Sequence, residues 1–189
     1  MRADRDVVLA AVQVQGEALE FAAEALRNDH EIVATAIRTS RGWAMQFASQ
    51  ELRKDRRLVL GALHANGLML EHAPSLQGDA EIVVAAVRSN PAALQFATEK
   101  LKGDKAVVLA AVSKDGNTLR YASKAMKASR EVVLAAAQQA GEHVLLLADE
   151  IFHEDAGLAG MAYSESDVEQ SAGVEENSWT DTVYVKTRL

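Results

Sequence analysis

Apolar positions along this chain fall into short blocks, and the blocks recur. The stretch Asp104–Ala128 shows the pattern most fully: an Asp, then Val107-Val108-Leu109-Ala110-Ala111-Val112, a Gly at 116, Leu119, Tyr121, Ala122 and a polar exit. Copies of it begin at Asp4, Asp29, Asp55, Asp79, Asp104 and Ser129, close to 25 residues apart. The first apolar column is Val7, Ile32, Leu58, Ile82, Val107, Val132, and the turn column is Gly16, Gly42, Gly67, Pro91, Gly116, Gly141. An aromatic column follows (Phe21, Phe47, His72, Phe96, Tyr121, with Leu147 last), and an alanine succeeds it every time. Self-similarity at a fixed period of this size marks stacked supersecondary units.

Each unit reads as two short helices. The leading Asp suits an N-cap, since its carboxylate can accept from free first-turn N–H groups. Asp6, Glu31, Glu81 and Glu131 then oppose the positive end of the helix dipole. The turn glycine supplies the positive φ of a helix stop, and Pro91 acts instead as a helix starter. A second helix is expected from the spacing of Leu19, Ala22 and Leu26. Val7 to Val12 cover the whole circumference of the first helix, so that helix is expected to be buried all round, between neighbouring repeats. The amphipathic second helix is expected outside. A strand is the rival for V-V-L-A-A-V, because β-branched residues favour sheets. The central Ala-Ala and the N-cap favour helix, and the run lacks the alternating leucines and Asn of a leucine-rich repeat.

The expected fold is therefore all-α: an elongated, right-handed or superhelical α-solenoid of six helical-hairpin repeats at 4–28, 29–54, 55–78, 79–103, 104–128 and 129–154. An acidic tail, 155–189, follows. Within that tail 157–174 is expected to be flexible, with Leu158, Met161 and Tyr163 able to cap the last repeat, and 178–189 shows a weak strand-like alternation. The third repeat departs most from the pattern, with His72 in the aromatic column and Pro74 two residues on. A proline inside a helix removes a donor and clashes one turn back, so this repeat is expected to be the soft point. The first repeat has a neighbour on one side only. Two or three of Val7, Val8, Leu9 and Val12 are then expected to face outward, inviting self-association or coverage by the stretch around Trp179, Val183 and Val185.

The motif D-x-E-V-V-L-A-A-V-x-x-x-G-x-x-L-x-Y-A-S, as it stands in Val107–Ser123 and Ser129–Gly141, resembles the tandem-repeat domain-of-unknown-function family numbered 4116. The resemblance covers residues 4 to about 154. It implies tandem arrays and no established activity, and it transfers no catalytic or binding residues.

Composition narrows the function classes. Hydrophobic residues make up 49% of the 189 and aromatics 5%, which suits small, closely packed helices. With no cysteine there is neither a disulfide framework nor a thiolate metal site. No apolar run approaches a membrane span, and the first repeat leaves no room for a signal peptide, so a cytoplasmic or other intracellular place is expected. Of the net charge of −7, −5 lies from Asp155 onward, leaving a nearly neutral repeat body. Such a body is a poor electrostatic footprint for nucleic acid.

Candidate chemistry is sparse. His30, His64, His72, His143 and His153 form no metal-ligand pair, although His64 and His72 are positioned to approach across the turn at Gly67. His153-Glu154-Asp155 has acid–base residue types but no nucleophile nearby. The basic run Arg53-Lys54-Asp55-Arg56-Arg57 reads as a solvated helix end or as an anion or partner contact. Thr187-Arg188-Leu189 has the form of a C-terminal peptide that adds to a PDZ sheet edge. No catalytic, cofactor or metal site is expected. The leading expectation is a non-enzymatic protein–protein interaction scaffold, read through variable polar positions. Arg38, His64 and Arg88 on the first helix and Gln46, Gln95 and Arg120 on the second are the candidate contacts, with Thr187 and Leu189 at the terminus. The alternative is a single-stranded nucleic-acid-binding repeat protein.

Overall fold

The structure, a computed structural model, describes residues 4–153. Every regular element among them is helical. The expectations for the tail, including Thr187, Leu189 and the Glu154-Asp155 part of the acid–base triplet, lie outside the described residues.

Six long helices begin one residue after each repeat head: α1 Arg5–Val14, α3 His30–Thr39, α4 Arg56–Ala65, α5 Ala80–Ser89, α7 Lys105–Val112 and α9 Arg130–Ala140. The first five are capped as their leading Asp predicts. Asp4, Asp29, Asp55, Asp79 and Asp104 each accept from the N–H groups two and three residues on. Ser129 makes no such side-chain bond.

The second half of each unit is not the single α-helix expected. It opens with a 3₁₀ segment, as in Gly16–Phe21 and Gly116–Tyr121. The chain then turns extended at the conserved-column alanine (Ala22 φ −72°, ψ 152°) and closes with one short turn. That turn is α-helical in α2 (Glu24–Arg27), α6 (Glu99–Lys102) and α8 (Lys124–Lys127), and 3₁₀ at Leu52–Lys54, Pro74–Leu76 and Glu150–Phe152. In three units Asn66, Asn90 and Asp115, just before the turn column, accept from the N–H two residues on and tighten the chain there, whereas the segments after Gln15, Gly42 and Gly141 are 3₁₀ without a side-chain cap. Leu19 and Ala22 still bury as their spacing implies, through a 3₁₀ turn rather than an α-helical one.

The long helices stack in order, α1 on α3, α3 on α4, α4 on α5, α5 on α7 and α7 on α9, and the 3₁₀ segments stack beside them. Leu19, Leu70, Leu94 and Leu119 from the second layer, and Ile32, Val33, Ile82 and Val83 from the first, are fully buried. Each such side chain contributes about 1.5–3 kcal/mol by leaving water.

The turn column does other work than expected. Among the described residues only Gly42, Gly141 and Arg41 have positive φ. Gly16, Gly67 and Gly116 are needed for space. A Cβ there would lie 2.2, 2.2 and 2.3 Å from the carbonyl oxygens of Ala36, Ala86 and Ala136 in the following repeat. Glycine lets the turn of one unit rest against the backbone of the next helix. Pro91 does carry a Cβ, and the helix it faces, α7, is eight residues long where its fellows run ten or eleven.

Backbone bonds also cross between units: Ser49 N–H to Arg27 O, Thr98 to Gln77, Ser123 to Lys102 and Asp149 to Lys127, at 2.9–3.1 Å. Pro74 holds the same column in the third repeat and has no N–H to donate. It starts a 3₁₀ turn rather than interrupting a helix. The disturbance is thus a missing inter-repeat bond and a shifted backbone at Ala73 (φ −121°, ψ 59°), not a clash.

Two burial expectations need correction. The long helices are not buried all round: the column Leu9, Ala34, Leu60, Val84, Leu109, Leu134 is only half-buried. In the first repeat Val8 and Val12 are buried against the second, Leu9 is half-buried, and Val7 alone of the four is exposed.

Candidate functional site

The half-buried column is where the structure gathers candidate residues. Adjacent long helices leave a shallow groove between them. The groove between α3 and α4 holds about 590 Å³ over a floor of Ala34, Ile37, Leu58, Gly61 and Ala65, rimmed by Arg38, Arg57 and His64. The next, between α4 and α5, holds about 410 Å³ over Leu60, Val84 and Ala85, rimmed by His64, Arg88 and Glu81. Arg38, His64 and Arg88 are therefore brought together on one face, with His64 shared by both grooves. Helical geometry explains the alignment: each is the ninth residue after its repeat's cap position, so stacking places them in a row.

Gly61 has no folding reason of its own. A Cβ built on it meets nothing within 4 Å, and glycine inside a helix costs about 0.5–1 kcal/mol relative to alanine. Its effect is to deepen the α3–α4 groove.

Gln46, Gln95 and Arg120 lie in the other layer, on the 3₁₀ segments Trp43–Phe47, Pro91–Phe96 and Gly116–Tyr121. The amide of Gln46 donates to Trp43 O, and Arg120 Nε to Asn117 O. These three line neither groove.

The basic run divides its labour. Lys54 pairs with Glu51 at 3.0 Å. Arg56 bridges to both Asp79 and Glu81 of the next repeat. Arg57 faces the groove. Arg53 enters a different cleft of about 630 Å³ with Arg27, Ser49, Glu24 and Glu51, where the Nε atoms of Arg27 and Arg53 are buried without a hydrogen-bond partner. Its two carboxylates offset its two guanidinium groups.

An ion-pair ladder absent from the sequence reading runs along the repeat heads. Arg5 meets Asp29 at 2.8 Å and Glu31 at 2.5 Å; Arg56 repeats this with Asp79 and Glu81, and Lys105 meets Glu131. His30 and Asp55 stand 3.6 Å apart. The guanidinium hydrogen bonds hold the Asp29 and Asp79 carboxyls below the ordinary carboxylate range. The available signal was a basic residue directly after the head, as at Arg5, Arg56 and Lys105. Asp29 and Asp79 are thus caps and also acceptors of the preceding repeat's arginine.

His64 and His72 do not meet in a common pocket; His72 lines a separate cleft with Gln50, Arg53, Lys54 and Pro74. His143 Nε2 lies 3.0 Å from Asn117 Oδ1. Among the described residues no group of three His, Asp or Glu side chains is placed to hold a metal, and no helix is long and apolar enough to cross a membrane.

The architecture is that of an all-helical tandem-repeat protein, with near-identical units stacked in sequence order. The chain belongs to the family described as Domain of unknown function (DUF4116), whose model matches residues 4–53, 39–77, 55–102, 79–127 and 104–152. Each of the four longer matches spans two 25-residue units, and three of them start at successive repeat heads, Asp55, Asp79 and Asp104. No curated protein and no solved structure matches the chain.

Proposed function

We propose that the chain is a non-enzymatic interaction scaffold, an α-solenoid that presents the face of its long helices to a protein partner. The observation that carries this reading is the pair of adjoining grooves between α3, α4 and α5. They join an apolar, half-buried floor to the cations Arg38, Arg57 and Arg88. Residues of V-V-L-A-A-V that neither pack fully nor turn polar are what a partner-binding strip requires: apolar area for affinity, with charge at the rim for orientation. The complementary partner is an acidic protein segment with apolar side chains at helical or extended spacing.

Affinity capture with the full chain tests this. Partners identified with the wild type should be lost with Arg38→Glu/Arg88→Glu and retained with Gln46→Glu/Gln95→Glu. Retention by both variants, or loss from both, removes the groove from the reading. Strong, salt-dependent retention on heparin or single-stranded RNA favours the nucleic-acid alternative instead.

A further inference from the structure

The groove between α3 and α4 is hollowed at one point. Six residues after the cap the other repeats carry Ala10, Thr35, Ala85, Ala110 and Ala135, and the third carries Gly61. The rim is basic at the same place. Nine residues after the cap stand Arg38, His64 and Arg88 in the second to fourth repeats, against Gln13, Ser113 and Gln138 elsewhere. Arg38, Arg57 and Arg88 are exposed, and their side chains have no ion-pair partner among the described residues. The acid at the rim, Glu81, is already engaged by Arg56. A hollow floor and unneutralised cations thus coincide there, which suits an occupant with one bulky apolar side chain and carboxylates close beside it.

Resting on the reading of this face as a binding strip, we infer that the groove takes the chain's own acidic tail. Trp179 seats over Gly61, and Glu175, Glu176 and Asp181 face Arg38, Arg57 and Arg88. The stretch Glu175-Glu176-Asn177-Ser178-Trp179-Thr180-Asp181 places an indole among three carboxylates, and from Glu165 to Asp181 there are six acidic residues and no Lys or Arg. Charge selects the groove over the exposed apolar surface of the first repeat around Val7. That surface lies beside Asp4 and Asp6, and Arg5 is occupied by Asp29 and Glu31, so an acidic segment would be repelled there. The tether is long enough. Trp179 follows His153, the last described residue, by 26 positions, each spanning up to about 3.3 Å when extended. The groove lies three to four stacking steps from α9, each about 8–10 Å. A tethered occupant has an effective concentration on the order of mM, so an outside acidic partner gains the groove by displacing the tail.

Tryptophan fluorescence of the full chain tests this, because Trp43 and Trp179 are its two tryptophans. In a Trp43→Phe parent, with circular dichroism confirming the fold of every variant, Trp179 should emit at short wavelength and resist quenching by acrylamide at all protein concentrations. Gly61→Leu, whose Cβ meets nothing within 4 Å, should fill the hollow, shift the emission to that of solvent-exposed indole and raise quenching several-fold. Arg38→Glu/Arg57→Glu should do the same, and adding Glu175→Lys/Glu176→Lys to it should restore the shelter. Gln46→Glu/Gln95→Glu should change nothing. Trp179 as accessible as free indole in the parent, shelter that survives Gly61→Leu or the charge reversal, no rescue by the charge swap, equal loss with Gln46→Glu/Gln95→Glu, or shelter that grows with concentration overturns the inference. Affinity capture reports separately on the partner reading. A sheltered Trp179 with no captured partner sustains the docked tail and removes the outside partner. Partner loss with Arg38→Glu/Arg88→Glu beside an exposed Trp179 in the parent sustains the partner and removes the tail.

Discussion

Two glycines of the third repeat, six and twelve residues after its cap Asp55, should respond oppositely to the same added methyl group. At Gly67 a Cβ would sit 2.2 Å from Ala86 O, 2.9 Å from Asn90 N and 3.0 Å from Ala86 C, all of them backbone atoms of the next repeat. Ordinary contact needs about 3.4 Å, so α5 would have to retreat by roughly 1 Å or the turn would have to open. Overpacking of this kind costs about 1–3 kcal/mol. At Gly61 the methyl meets open space, and replacing a helix-interior glycine stabilises by about 0.5–1 kcal/mol. Gly67→Ala and Gly61→Ala should therefore differ by roughly 1.5–4 kcal/mol in opposite senses about the wild type. Urea unfolding of the full chain, followed by circular dichroism at 222 nm, reads both from the midpoint at constant slope. If Gly67→Ala unfolds at the wild-type midpoint, the close approach of turn and helix backbone is not what the turn glycine serves, and the account of repeat stacking fails with it. Gly61→Ala carries a second readout: a more stable protein that binds its captured partner less well would tie the missing side chain to the groove.

Other outcomes follow from individual contacts. Amide exchange should be faster over 58–76 than over 107–126, because Pro74 removes the inter-repeat bond that Ser123 N–H makes to Lys102 O; equal protection contradicts this. Ser129→Asp should raise the unfolding free energy by about 0.5–1 kcal/mol, since it supplies the one missing side-chain cap and sets a carboxylate beside Lys105; no gain in midpoint would show that this head cannot adopt the cap geometry of Asp104. The Asp29 and Asp79 carboxyls titrate lower folded than unfolded. Their contribution is therefore complete above the ordinary carboxylate range and lost as pH falls through the depressed folded values. Acid unfolding of Arg5→Ala/Arg56→Ala should accordingly begin at higher pH than in the wild type; coincident acid curves refute the ladder's role.

The repeat period, the helical class, the six heads and most of the core were legible in the sequence. Those features rest on local physics: Asp caps whatever helix follows it, and an apolar column recurring in register must bury. What the sequence obscured was contact between units. V-V-L-A-A-V reads as apolar all round, yet only the stacked helices decide that the Leu9–Leu134 column stays half open and that Arg38, His64 and Arg88 align beside it. The second arm kept its buried positions but not its helix type: Asn66, Asn90 and Asp115 tighten the turn in three units, and the other three open as 3₁₀ without a capping side chain. Gly16 reads as a helix stop, and only the carbonyl of Ala36, twenty residues away, shows that it is a point of close approach. The ion pairs of Arg5 and Arg56 likewise join residues more than twenty positions apart. Side chains settle their own helix from within; the neighbour that stacks on it settles which face remains to meet another molecule.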